Sequence, residues 1–251
     1  LLDGREVLAA LGRLRPRHYL GVAAAGVVLG AHFTLFVWGL QTTSLPAAVS
    51  LISLEPLSVV LWAAALHGAR PSRPEWIGVA LATIGAALVG RGAGQGEHRP
   101  LGDLLVIGAV ILYGLYIAAA RSLREALPPR PYAALVYAAC AIASGIALAF
   151  VTDGPGASRW PIETHSIVGI VLLALIPTLL GHTAVQTAAR HAPPALVALV
   201  SPGETVGGIV IGAIWLGIMP SAWEAAGAAI IIAGVSVAIL GLRVSSRSTR
   251  S

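Results

Sequence analysis

Eight apolar stretches, most of them close to the length that crosses a lipid bilayer, divide this chain, and short polar borders separate them. They run His18–Gln41, Pro46–Leu66, Glu75–Val89, Asp103–Ala120, Tyr132–Val151, Ser166–Thr187, Ala195–Gly217 and Trp223–Leu242. A hydrocarbon core about 30 Å thick takes about 20 residues of helix, and only a segment that satisfies its own backbone hydrogen bonds can cross it. The runs are therefore predicted to be transmembrane helices. The third is the shortest, near the lower limit for a span. A soluble helical bundle needs charged outer faces, and a chain that is 57% hydrophobic and 11% charged shows none inside the runs. The expected fold is all-α and integral to the membrane, with about eight transmembrane helices.

The charged residues narrow the chemistry. All 16 basic residues are arginine. Without lysine, neither a phosphate-cradling Walker A loop nor a Schiff-base enzyme can be built. Cys140 is the only cysteine, which rules out an intrachain disulfide and a multi-cysteine metal site. No cofactor and no metal are expected. A net charge of +5 suggests nucleic acid in a soluble protein, but here the arginines lie in the connections between runs, so the expected partner is the bilayer and not nucleic acid.

If the spans alternate, one side of the membrane receives Arg5, Arg13, Arg15, Arg17, Arg70, Arg73, Arg121, Arg124, Arg130, Arg190, Arg243, Arg247 and Arg250, and the other only Arg91, Arg99 and Arg159. The positive-inside rule then puts both termini in the cytoplasm, as an even number of spans also requires. The expected location is the cytoplasmic membrane. Residues 1–17, with four arginines and no cleavable signal, read as a cytoplasmic segment, and 244–251 as a basic cytoplasmic tail. The chain starts at Leu1 and Met219 is its only methionine, so an incomplete N-terminus is expected.

A weak internal repeat is present. The stretch from Ala47 through Gly90 can be laid on that from Pro193 through Leu240: Pro56 falls on Pro202, and after a short loop insertion Gly78 falls on Gly227, Ala80 on Ala229 and Gly85 on Gly234. Both copies read as a long interrupted span followed by a Gly/Ala-rich span. They are five helices apart, an odd number, so the copies are predicted to be inverted relative to each other.

Three local patterns, in order, carry a resemblance to a known family. Gly102-Asp103-Leu104-Leu105 opens a helix that continues through "LYGLYIAAARSL" to a basic exit. "PTLLGHTAVQTAARHAPPALVALVSP" and "SLEPLSVVLW" complete the set. Together they resemble the drug/metabolite transporter superfamily, specifically its EamA-type members. The resemblance implies a ten-helix pattern of which the first two are missing here. On that reading 18–91 is a partial first repeat of three helices and 102–243 a second repeat of five. The chain departs from the family at two places where Leu-Gly-Glu is common, which here hold His67-Gly68-Ala69 and Leu216-Gly217-Ile218.

An ionisable group at the centre of a span costs at least ~2.5–3.5 kcal/mol, so it usually faces a cavity or a partner. Glu55 and Glu204 are the two that qualify, each beside a helix-interrupting proline: Glu55-Pro56 and Pro202-Gly203-Glu204. Proline frees a carbonyl one turn back, and half-helix ends are where transporters hold ions and polar substrates. The plainer alternative is that each glutamate is packing glue, protonated and bonded to a neighbouring helix. His32 and His182 also lie deep, in corresponding spans of the two repeats, with Gln186 one turn from His182; a proton-carrying role and a buried neutral one both remain open. The resemblance places Trp38, Tyr113 and Tyr116 around a central pathway, where aromatic walls suit ring-bearing or cationic solutes. Gly26/Gly30 and Gly208/Gly212 form G-x-x-x-G pairs expected to serve helix packing.

The expected function is a secondary transporter that exports small organic metabolites, amino acids or drugs by alternating access. The partner is then a small-molecule substrate, and a homodimer is left open. A non-transporting structural or assembly subunit and a membrane-embedded enzyme are the alternatives. Against an enzyme, the chain has no H-E-x-x-H, no G-x-S-x-G and no cysteine pair.

Overall fold

The structure is a computed structural model and describes residues 12, 14–92, 99–123, 125–149, 164–215, 217 and 219–248. Among them there is helix and turn but no strand. The helices are α1 (Pro16–Thr42), α2 (Leu45–Ile52), α3 (Glu55–His67), α4 (Arg73–Gly92), α5 (Pro100–Ala119), α6 (Pro129–Ala149), α7 (Thr164–Leu173), α8 (Thr183–His191), α9 (Pro194–Ala198), α10 (Val200–Trp215) and α11 (Ala222–Ser248). A 3₁₀ turn (Ala120–Leu123) extends α5, and a π-helix (Ala174–His182) joins α7 to α8. Four helices open on proline, where the missing N–H would have had no helical partner and the fixed φ suits a first turn.

Seven helical segments among the described residues are long and apolar enough to cross a membrane. Each coincides with one of the predicted runs. The run left out is the third, now α4, whose 20 residues include Arg73, Glu75 and Arg91 at the two ends. The second and seventh runs are each two helices with a break, and the sixth is continuous from Thr164 to His191 through the π-helix. Pro177 explains the wide turn: it has no N–H to reach Leu173, and the Thr178 hydroxyl bonds that carbonyl instead, at 3.0 Å. α11 continues to Ser248, through much of the stretch predicted to be a tail.

The chain divides into two units, residues 1–31 with 120–191 and residues 32–119 with 192–251. In the first unit the start of α1 lies against α6. A side chain at Gly26 would run into Ala139, and a Cβ at Gly30 would stand 3.1 Å from that of Ala143, so this G-x-x-x-G pair does allow close packing. Arg190, assigned from sequence to a connection, lies in the last turn of α8 and is fully buried. Its guanidinium donates to the carbonyls of Leu123 and Leu127 and lies 5.2 Å from the centre of the Tyr132 ring.

The second unit is held by α4 and α11, which run antiparallel with glycines at their contact. A Cβ on Gly78 would meet the Gly234 carbonyl oxygen at 2.6 Å, and one on Gly85 that of Gly227 at 2.7 Å. Gly92 lies against Ser221 and Glu224, and Gly241 against Pro74. Glycine therefore recurs every seventh residue on both helices, and backbone meets backbone. Beside them Ala86, Val89 and Ile231 form a core with Val206, Ile209 and Val235. Both helices start in the same way: Glu75 accepts from Ser72 N–H at 2.6 Å, and Glu224 from Ser221 N–H at 2.7 Å, which is the carboxylate half of a capping box. Gly68 ends α3 at φ 61°, and Gly217 follows α10 at φ 67°, a backbone region that disfavours any other residue.

α5 lies along α3. Gly114 faces Ser58, Trp62 Nε1–H donates to the Ile111 carbonyl at 3.0 Å, and His67 Nε2–H to that of Ala118 at 2.8 Å. Asp103 of the Gly-Asp pair accepts from the Thr43 hydroxyl at 2.7 Å, while Gly102 leaves room for the Thr43 backbone. These contacts fix the site's frame.

Candidate functional site

The two interrupted spans belong to the second unit. α2 ends at Ile52 and α3 begins at Glu55, with Ser53 and Leu54 forming the break. The Ser53 hydroxyl caps the Ser50 carbonyl at 2.5 Å, and helical bonding resumes from Ser58 N–H to Leu54 O at 3.1 Å. In the seventh run α9 ends at Ala198, Leu199 makes the turn, and Gly203 N–H bonds Leu199 O at 3.2 Å. The breaks thus precede Pro56 and Pro202, which are buried in the first turn of the resumed helix. Gly203 is exposed and helical. A proline removes the bond one turn behind itself, so the interruption falls upstream of the residue that causes it.

Across these breaks, Ser201 Oγ donates to Glu55 Oε2 at 2.5 Å. Glu55 is the first residue of α3, where the helix N-terminus favours negative charge. Glu204 lies one turn beyond Ser201 on α10 and is exposed.

His32 adjoins Tyr113. Their ring centres are 5.4 Å apart, and Phe33 and Phe36 complete an aromatic cluster at 5.1 and 6.2 Å from His32. His32 Nδ1 is 2.8 Å from the Ala109 carbonyl, which can only accept, so Nδ1 carries a proton, and in the neutral form of the ring Nε2 keeps the lone pair. Tyr116 is fully buried on α5, and Trp38 is 53% exposed on α1. His182 and Gln186 are placed in the other unit, His182 at the end of the π-helix and Gln186 buried on α8 with neither amide atom hydrogen-bonded among the described residues. Gly208 and Gly212 differ from expectation: a Cβ at either meets nothing within 4 Å, so no close helix approach of the kind made at Gly26 and Gly30 is seen at this pair.

Ser201 is the site residue that sequence reasoning missed. Its position beside Pro202, laid by the repeat on Glu55 beside Pro56, was the available signal.

A fold of apolar spanning helices with two broken spans carrying carboxylates at their resumed ends defines a multi-pass membrane protein with a polar group at the breaks. A model of the EamA-like transporter family matches residues 7–91 and 100–240, and the chain belongs to that family. Membership implies a small-molecule substrate and a place in the membrane. Among 29 solved chains with a matching fold, one crystal structure of a protein superposes at a TM-score of 0.75, over 94% of this chain and 83% of its own, with 23% identity. No curated protein matches the sequence.

Proposed function

We propose that this protein is a secondary transporter that exports a small organic solute, such as an amino acid, another metabolite or a drug, across the cytoplasmic membrane. It works by alternating access of two inverted copies of one helical unit, with both termini in the cytoplasm. The observation that carries this reading is the Ser201–Glu55 bond across the two breaks. Half-helix ends hold ions and polar solutes in transporters, and here each resumed helix carries a carboxylate in its first turns, with an aromatic cluster of Tyr113, His32, Phe33 and Phe36 in the same unit. The inverted arrangement is supported by contacts between repeat counterparts. Gly78 corresponds to Gly227 and Gly85 to Gly234, and the contacts made are Gly78 with Gly234 and Gly85 with Gly227, as a two-fold axis between α4 and α11 requires. Residues 18–91 and 102–243 are the two copies on this reading.

The full-length protein, reconstituted in liposomes, is tested against a panel of amino acids, neutral metabolites and aromatic cations. At least one solute should move faster than in protein-free liposomes, with a rate that responds to an imposed pH gradient. Glu55→Gln and Glu204→Gln should each lower that rate about tenfold or more, a transition-state loss of ~1.4 kcal/mol. Flux indifferent to the gradient and unchanged by Glu204→Gln would reject the coupling role of the carboxylates; a panel in which nothing moves would reject transport.

A further inference from the structure

The two resumed helices carry the same pair of functional groups in exchanged order. α3 opens Glu55-Pro56-Leu57-Ser58, and α10 reads Ser201-Pro202-Gly203-Glu204. Each presents a carboxylate and a hydroxyl three positions apart, on one side of its helix. The two prolines lie 146 residues apart, the separation across the Glu55–Ser201 bond, so that bond joins a position to its own counterpart. The same offset pairs Ser58 with Glu204. In this structure the first pair is made and the second is not: Ser58 Oγ is buried with no hydrogen-bond partner among the described residues, and Glu204 is exposed.

We propose that the two hydroxyls are alternate latches of the transport cycle: Ser201–Glu55 holds the conformation of this structure, and Ser58–Glu204 holds the one that opens to the other side of the membrane. The inference rests on the transport reading and adds the interaction that each state trades for the other. A buried hydroxyl left unbonded is unfavourable, so a second state that satisfies Ser58 competes with the first. The asymmetry of packing says which helix moves. Ser58 is pinned by Gly114 of α5, and α3 is tied to α5 again by Trp62 and His67. On α10, a Cβ at Gly203, Gly207, Gly208 or Gly212 meets nothing within 4 Å. α10 has open space at these glycines while Val206 and Ile209 hold it to the core beside α4 and α11, so Glu204 reaches Ser58 by a local shift at the start of α10.

The test uses the full-length protein in liposomes, in a Cys140→Ala background with Gly207→Cys as reporter, labelled by a membrane-impermeant maleimide from each side in turn. Ser201→Ala should raise labelling from the side less accessible in the parent about tenfold, and Ser58→Ala should lower it about tenfold, the range of a hydrogen bond to a charged group. Ser201→Thr, which keeps the hydroxyl, should restore the parent pattern. A protein that transports but whose two alanine variants shift labelling in the same direction, or not at all, overturns the latches and leaves the transport reading standing. One that moves no solute overturns both.

Discussion

α3 and α10 are built on one plan and surrounded differently. Both resume after a break, bury a proline in the first turns and end near a glycine of positive φ. α3 is covered by α5 along the side that holds Ser58 and Trp62. On α10 the repeat counterparts of those residues are Glu204 and Gly208, both exposed. The backbone device is thus duplicated while the side chains are redistributed: one copy is a fixed wall, and the other keeps a glycine-rich open face with a carboxylate on it. A repeat conserves where a helix breaks more strictly than what the broken helix touches, because the break depends on a few local residues and the contacts on everything packed around them.

The sharpest way to break this comparison is to fill both faces. A Cβ at Gly114 would stand 2.6 Å from the Ser58 carbonyl carbon, closer than atoms can pack, so Gly114→Leu should force α5 off α3 and cost ~3 kcal/mol or more. A Cβ at Gly212 meets nothing within 4 Å, so Gly212→Leu should be neutral, or stabilising by up to ~1 kcal/mol through helix propensity. Thermal unfolding of the detergent-solubilised protein separates the two. Equal losses would mean that the α10 face is as covered as that of α3.

A smaller effect sharpens the same contrast. Trp62→Phe replaces the indole by a smaller phenyl ring and removes the donor to the Ile111 carbonyl, for a loss of ~1 kcal/mol or more in the same unfolding measurement. At its counterpart, Gly208→Ala should lose nothing. An unchanged Trp62→Phe would show that the bond to α5 contributes no stability and that shape alone holds the pair.

What the sequence made legible followed from local causes. Run length gave the spans, and Pro56 and Pro202 marked the two interruptions, though two to three residues downstream of where they fall. Gly78, Gly85, Gly227 and Gly234 stood out as matched positions of the repeat, while the close approach of α4 and α11 through them is seen only in the structure. The two G-x-x-x-G pairs make the limit plain: Gly26 and Gly30 receive α6, while a Cβ at Gly208 or Gly212 would meet nothing within 4 Å. The motif states that a helix can be approached, and only the tertiary arrangement supplies the partner. Ser201 beside Glu55 and Arg190 over Tyr132 were hidden for the same reason, since each partner lies far away in the chain.

The finest comparison is at the starts of α4 and α11, where the same Ser-x-x-Glu spacing makes two different boxes. At α11 both halves close: Ser221 N–H bonds Glu224, and Glu224 N–H reaches back to Ser221 Oγ at 3.3 Å. At α4 only the first half is made. Ser72 N–H bonds Glu75, and Ser72 Oγ is buried with no hydrogen-bond partner among the described residues. Ser221→Ala should therefore cost ~1 kcal/mol, the worth of a side-chain cap. Ser72→Ala deletes a hydroxyl that caps nothing and should change stability by less than ~0.5 kcal/mol. Paired unfolding curves of the two variants read the difference directly. Equal costs would mean that both boxes close fully and that the two copies are more alike at their helix starts than at their breaks.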